Sequence, residues 1–203
     1  LLVDELRSIA KEQAARITEK RRKAAKQVEK EMSERLVPLG IPKVRFEVNV
    51  LPDELSYDGA DKVVFLFSAN SSSPMRPVEQ VASGGEIARV MLSLKAMIGN
   101  AVELPTIIFD EIDTGVSGRV AEQMAQIMKE MGSSDRQVIS ITHLPQIAAL
   151  GTTHYKVAKE ETATGTASRM TILDDEARVR EIAQMLSGSE VTQAAVDNAR
   201  ELI

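Results

Sequence analysis

The 203-residue sequence contains no cysteine. That excludes a disulfide scaffold, a thiolate metal site and a thiol nucleophile, and it leaves a reducing cytoplasm as the natural setting. No apolar run approaches the roughly 20 residues that a membrane-spanning helix needs. The opening residues, LLVDELRSIAKEQ, have neither the basic start nor the apolar stretch of a signal peptide. A soluble, cytoplasmic protein without a membrane partner is therefore expected. Positive charge is short as well: 25 Lys and Arg stand against 30 Asp and Glu, a net charge of −5. Such a balance argues against a protein that coats nucleic acid indiscriminately. It is uneven, however, at +3 over residues 1–37 and −8 beyond them. Any DNA contact would be local, for instance through Lys20-Arg21-Arg22-Lys23, and the simpler reading of that run is a solvated helix face.

What the sequence does contain divides in two. Residues 1–37 hold no Gly or Pro and are rich in Ala, Glu, Lys, Arg and Gln, which predicts one long helix ending near Pro38-Leu39-Gly40. Its apolar seam is thin, running through Leu2, Leu6, Ile9, Ile17, Ala24, Val28, Met32 and Leu36. This is the pattern of one arm of a coiled coil; the alternative is a single amphipathic helix lying on the domain. Val44, Phe46, Val48 and Val50 alternate with polar residues, as in a half-buried strand, and Lys62–Phe67 reads as a second, more buried one. Ser68–Pro77, with three consecutive Ser and two Pro, is expected to be a flexible loop.

From Ser83 onward helices and strands alternate: a helix near 84–98, a strand 106–110, a helix 117–131, a strand 137–142 and a short helix after Leu144. Alternation at these lengths predicts a parallel α/β sheet covered on both faces. Thr153–Val157 and Arg169–Leu173 suggest a terminal hairpin, followed by helices near 175–186 and 190–202. The methionines at 91, 97, 124, 128 and 131 fall on helical spacings and read as core filler.

Three segments carry chemistry. Ser83-Gly84-Gly85-Glu86 opens a helix whose apolar side includes Ile87, Val90, Met91, Leu94 and Ile98. Ser is a favoured N-cap, the glycines let a ligand approach the backbone, and free N–H groups at a helix start attract anions. Thr106–Glu111 is an apolar strand ending in two adjacent carboxylates, Asp110 and Glu111. In open α/β sheets ligands sit at the carboxyl ends of strands. In nucleotide enzymes a first acid there holds Mg²⁺ through its water shell, and a second orients or deprotonates the attacking water. Val138–His143 is another apolar strand with a polar residue and a histidine at its end. Each segment alone has a bland reading: a capped helix, a pair of exposed acids, a solvated His. Their order is more telling, because Ser83 precedes Asp110 by 27 residues and Glu111 precedes His143 by 32. Each interval fits one helix and one strand, so all three can reach one sheet edge.

These segments resemble the signature, Walker B and H-loop motifs of ABC-type ATPases. The fuller strings SGGEIARVMLSLK, IIFDEIDTGVSG and VISITHLPQIAALG are similar to the RecN family, SMC-like proteins with such heads. The resemblance implies an α/β fold, the C-terminal lobe of an ABC/SMC-type P-loop ATPase head, with residues 1–40 as a returning coiled-coil arm and 41–203 as the head portion. It implies an ATP- and Mg²⁺-dependent protein of double-strand break repair and recombination, cytoplasmic and on the nucleoid when bound to DNA. Asp110 would support Mg²⁺, Glu111 would be the catalytic base and His143 would contact the γ-phosphate. Ser83, Gly84, Gly85 and Glu86 would touch ATP held by a second head, and Asp113 to Ser117 match the D-loop at that interface. SMC-type proteins usually end that loop in Asp, where this sequence has Ser117.

The phosphate-cradling G-x-x-x-x-G-K-[ST] motif is missing; the one Gly-Gly pair is followed by Glu86 and Ile87. By the resemblance this Walker A motif lies before the coiled coil, so the chain is expected to be a fragment whose partners are the N-terminal half of the same head, a second head in an ATP-dependent homodimer, and DNA. Alone it is expected to be inactive. Competing readings are another SMC-like DNA-tethering ATPase, a transporter motor, or a non-enzymatic coiled-coil adaptor on an ABC-like fold. Against the transporter, Ile112 rather than Pro follows Glu111.

Overall fold

A computed structural model describes residues 2–81, 84–99, 104–132, 136–162, 165–188 and 190–203. The chain divides into two compact units, Leu1–Lys95 and Ala96–Ile203.

The first unit is built on helix α1 (Leu2–Leu36) and the antiparallel strands β1 (Arg45–Ser56) and β2 (Gly59–Ser68). The helix follows from its uninterrupted run of good helix formers and stops where Pro38 removes an N–H. Its first turns are exposed, including Leu2, Leu6 and Ile9, whereas Ala14, Ala25, Met32 and Leu36 are buried. The same helix therefore begins as a solvated arm and ends as a packed one. Thr18 Oγ1 donates to both carboxylate oxygens of Asp61, at 2.9 and 2.8 Å, and Arg21 Nη1 approaches one of them at 3.2 Å. Arg21 Nη2 also bonds the Asp58 carbonyl at 2.8 Å. One cation of the basic run is thus spent inside the fold. Further along, Glu29 Oε1 accepts the Val48 N–H at 3.0 Å. Burial pushes the Glu29 pKa up, but the Val48 amide and the Lys26 ammonium outweigh it and hold the carboxyl below its ordinary value.

β1 and β2 pair Phe46 with Phe67, Val48 with Phe65 and Val50 with Val63. β1 runs six residues past Val50, through Pro52, which an edge strand tolerates because its N–H is not needed in the ladder. β2 is less buried than its run of apolar residues predicts: Val63 and Phe65 remain partly in solvent, and within its apolar run only Phe67 is buried. Alternation across a strand gives each face only every second residue, so a continuous apolar run does not by itself mean two covered faces. The Ser68–Pro77 segment is more tied down than a flexible loop. Ser68 Oγ bonds the carbonyls of Asn70 and Ser73, Arg45 donates to the Ser73 carbonyl, and Arg76–Pro77 form a short strand β3 against β2.

Helix α2 (Gly84–Gly99) contains the boundary between the units. Its buried residues include Ala88, Val90, Leu92, Ser93 and Ala96, whereas Met91 and Ile98 are exposed. The expected apolar side is therefore rotated, and Met91 is not core filler. A helix that is apolar nearly all round carries no periodic signal to say which face is covered.

In the second unit β4 (Thr106–Asp110) and β5 (Gln137–Ile141) pair in parallel, with Ile107 beside Val138 and Asp110 beside Ile141. Helix α3 (Gly118–Gly132) crosses between them and buries Ala121, Met124, Ala125, Met128 and Met131. Ile107 and Phe109 are buried, but the alternate residues Ile108, Ile139 and Ile141 are exposed, Ile108 by 55%. The strand pair is thus covered on one face and not on both, because only one helical layer packs on it among the described residues. A short helix α4 (Pro145–Ala149) follows. The hairpin β6 (Tyr155–Thr162) and β7 (Gly165–Ile172) is longer than sequence suggests. Helices α5 (Asp175–Ser187) and α6 (Gln193–Leu202) close the unit over Ala149, Ile182, Ala183, Ala195 and Ala199. Among the described residues no helix is long and apolar enough to cross a membrane.

Candidate functional site

The parallel pairing of β4 and β5 brings Asp110, Glu111 and His143 to one sheet edge. Asp110 is the last residue of β4 and sits beside Ile141, the last of β5. By alternation it shares its face with the exposed Ile108 and Ile141. Neighbouring strands lie about 4.8 Å apart, so groups at these two ends can address a single small ligand.

Glu111 marks where the chain leaves the sheet. Its N–H still bonds the Ile141 carbonyl at 3.2 Å, yet its φ of 47° is left-handed, the one such value outside glycine among the described residues. For an L-residue with a Cβ this costs about 1–2 kcal/mol. The turn that follows is closed by Thr114, whose N–H and hydroxyl reach the Glu111 carbonyl at 3.4 and 3.0 Å, and by the Val116 N–H on the Asp113 carbonyl at 3.1 Å. Gly115, at φ 74°, supplies the left-handed step that this turn needs. The Glu111 side chain is exposed, as is Ser117.

Asp113 behaves differently from its neighbours. It is 1% exposed, and its Oδ2 accepts a short hydrogen bond from Thr142 Oγ1 and one from the His143 N–H at 3.3 Å. Thr142 Oγ1 in turn accepts the Leu144 N–H at 3.0 Å. The Asp113 Oδ1 is buried with no hydrogen-bond partner among the described residues. Above this cluster the His143 side chain is 67% exposed, with Nδ1 3.5 Å from Asp113 Oδ2.

Of the other residues singled out in sequence, Gly84, Gly85 and Glu86 form the first turn of α2, and Ser83 lies outside the described residues. No group of three or more His, Asp or Glu is gathered for a metal ion among the described residues. Mg²⁺ keeps several waters and needs only one or two carboxylates, so an exposed Asp110 beside Glu111 suits it where a dedicated cage would not. Thr142 carried no assigned role in sequence. The signal was a hydroxyl at the point where an apolar strand stops, but its partner is 29 residues away and follows no period.

No family model matches the chain. It is 36% identical over 192 residues to the DNA repair protein RecN of Vibrio cholerae, a match covering 94% of this chain and 34% of that protein. To RecN of Bacillus subtilis it is 38% identical over 221 residues, covering 100% of this chain and 38% of the relative. The chain thus spans about a third of the length of the relatives it matches. Among solved structures it is similar to the Smc head domain with a coiled coil and joint from Pyrococcus yayanosii, with a TM-score of 0.60 and 22% identity over 79% of this chain and 29% of that one. A second, from work on ATP-driven dimerization and DNA-stimulated activation of SMC ATPases, has a TM-score of 0.55 and 19% identity over 83% of this chain and 96% of that one. Across nearly its whole length, then, the chain corresponds to a C-terminal portion of a RecN-type protein, carried on the fold of an SMC ATPase head.

Proposed function

We propose that the chain supplies the metal-holding and water-activating part of an ATP site in a DNA-repair ATPase that acts in double-strand break repair and recombination by ATP-driven pairing of two heads on DNA. The observation that carries this reading is the meeting of Asp110-Glu111 with Thr142-His143 at the carboxyl ends of adjacent parallel strands. The names of the relatives add DNA repair, and the SMC ATPases of similar fold are described as dimerizing with ATP and responding to DNA.

In this reading Asp110 holds Mg²⁺ through water, and the ion supplies neutralisation of charge on the phosphates. Glu111 accepts a proton as water attacks the γ-phosphorus in line and the bond to the bridging oxygen breaks, releasing ADP and phosphate. His143 contacts the γ-phosphate. Ser83, Gly84, Gly85 and Glu86 offer the start of α2 to ATP held by a second head, since free N–H groups serve an anion only at close range. Asp113 and Ser117 bound the loop that faces that head. Residues 1–40 are the returning coiled-coil arm and 41–203 the C-terminal part of the head. The Walker A half comes from the N-terminal half of the same head, so this chain alone binds ATP weakly and does not turn it over. The protein works in the cytoplasm, on the nucleoid when bound to DNA.

The test is Glu111→Gln in the intact protein, which keeps the size of the side chain and removes its proton acceptor. ATP binding is retained while turnover slows by at least about 10²-fold, the scale of a lost general base. Near-normal steady-state hydrolysis would remove Glu111 from the reaction and shift its role to Asp110 or His143.

A further inference from the structure

Burying a carboxylate is costly unless donors replace its water. Asp113 is the one acidic side chain at this sheet edge that is fully buried, and its own turn does not require it. The turn is closed by backbone groups and by Thr114. Both hydrogen bonds that its side chain accepts come from the far side of the site, from the Thr142 hydroxyl and the His143 N–H. Since Oδ1 finds no partner among the described residues, the carboxylate is only half satisfied. A well-packed apolar side chain would serve stability at least as well.

What the carboxylate does accomplish is geometric. Through Thr142 Oγ1, which also receives the Leu144 N–H, it gathers three consecutive residues after β5 onto one anchor in the turn after β4. The His143 main chain is thereby held at the root of an imidazole that otherwise stands in solvent. At 3.5 Å, Oδ2 to Nδ1 is too long for a good hydrogen bond, so the grip is on the backbone and the hydroxyl, not on the ring.

We propose that Asp113 is a positioning residue that latches the segment bearing His143 to the turn bearing Glu111, so that both side chains are presented to one phosphate in fixed register. The proposal rests on the ATPase reading above. Asp113 does not touch substrate; it acts through His143.

The test uses the intact protein with Asp113→Ala, which removes the anchor, and Asp113→Asn, which keeps its size and one acceptor oxygen and so guards against a mere folding defect. In Asp113→Ala, hydrogen exchange at the His143 amide accelerates and kcat for ATP falls about 10- to 100-fold, the scale of a slightly misplaced group, with KM little changed. Asp113→Asn recovers part of both. In a His143→Ala background, adding Asp113→Ala lowers kcat no further, because the two act as a unit. Multiplicative losses in the double variant, or exchange at His143 that does not respond to Asp113→Ala, would overturn the proposal. Full turnover by His143→Ala would overturn it as well, because Asp113 acts only through His143. An intact protein that turns over no ATP sinks the ATPase reading instead, and the exchange measurement then decides separately whether the latch exists.

Discussion

Removing the Asp61 carboxylate should loosen α1 from the hairpin it lies on, and the size of the effect can be worked from its partners. The side chain is 4% exposed and that of Arg21 is 27% exposed. A buried acceptor for a charged donor contributes about 1.5–3 kcal/mol, and a neutral hydroxyl bond about 1 kcal/mol. Both donors have other outlets, however. Thr18 Oγ1 also reaches the Ala14 carbonyl at 3.0 Å, and Arg21 keeps the Asp58 carbonyl at 2.8 Å. Neither is stranded by Asp61→Ala, so the expected loss lies at the low end, about 2 kcal/mol. With a urea slope of about 2 kcal/mol/M the midpoint falls by about 1 M at unchanged slope. The sequence has no Trp, so far-UV circular dichroism of the 203-residue chain is the natural signal, and α1 provides 35 of its helical residues. Combining Thr18→Ala with Asp61→Ala should cost less than the two losses added together, since the residues share a contact. A shift of the Asp61→Ala midpoint below about 0.25 M would refute the reasoning, because the energetics of the pair would then be those of an exposed one.

Acid should act through His154. Burial first, then the Arg178 charge, lower its pKa against the opposing pull of Glu181, and its Nδ1 is buried without a partner among the described residues. A His whose folded pKa is depressed binds more protons unfolded, so its contribution is complete above the unfolded value of about 6.5 and is lost as pH falls below it. The urea midpoint of His154→Gln should therefore drop less than that of the parent chain between about pH 7.5 and about pH 5.5; equal drops would remove His154 from the acid response. At α5, Asp174 accepts the Ala177 N–H at 2.8 Å as an N-cap. Asp174→Ala should cost about 1 kcal/mol and Asp174→Asn close to nothing in the same denaturation assay, and a full-size loss in the Asn variant would contradict a capping role.

Local composition made most elements legible. The Gly- and Pro-free run ended within a residue or two of where α1 ends, and the apolar strands before Asp110 and His143 fell where β4 and β5 lie. Periodicity failed where burial is decided by neighbours distant in sequence. Residues 51–56 have no strand pattern and are extended because β2 pairs with them across an irregular register near Pro52 and Ser56. Ile108 and Ile139 read as core and are exposed, since an apolar residue in a strand says nothing about which face receives a helix. That Asp110, Glu111 and His143 come to the same end of the strand pair was readable from their order along the chain. The inward turn of Asp113 was not, since a contact with Thr142 and His143 leaves no trace in local spacing.

The left-handed backbone of Glu111 sets stability against the reaction proposed for this residue. Glycine would relieve about 1–2 kcal/mol of strain there, and the extra freedom it gives the unfolded chain returns only about 0.5–1 kcal/mol of that. A search that rewards heat resistance alone would drift toward Glu111→Gly and discard the carboxylate in the process. Glutamate at this position is held against a slope that the rest of the fold must oppose.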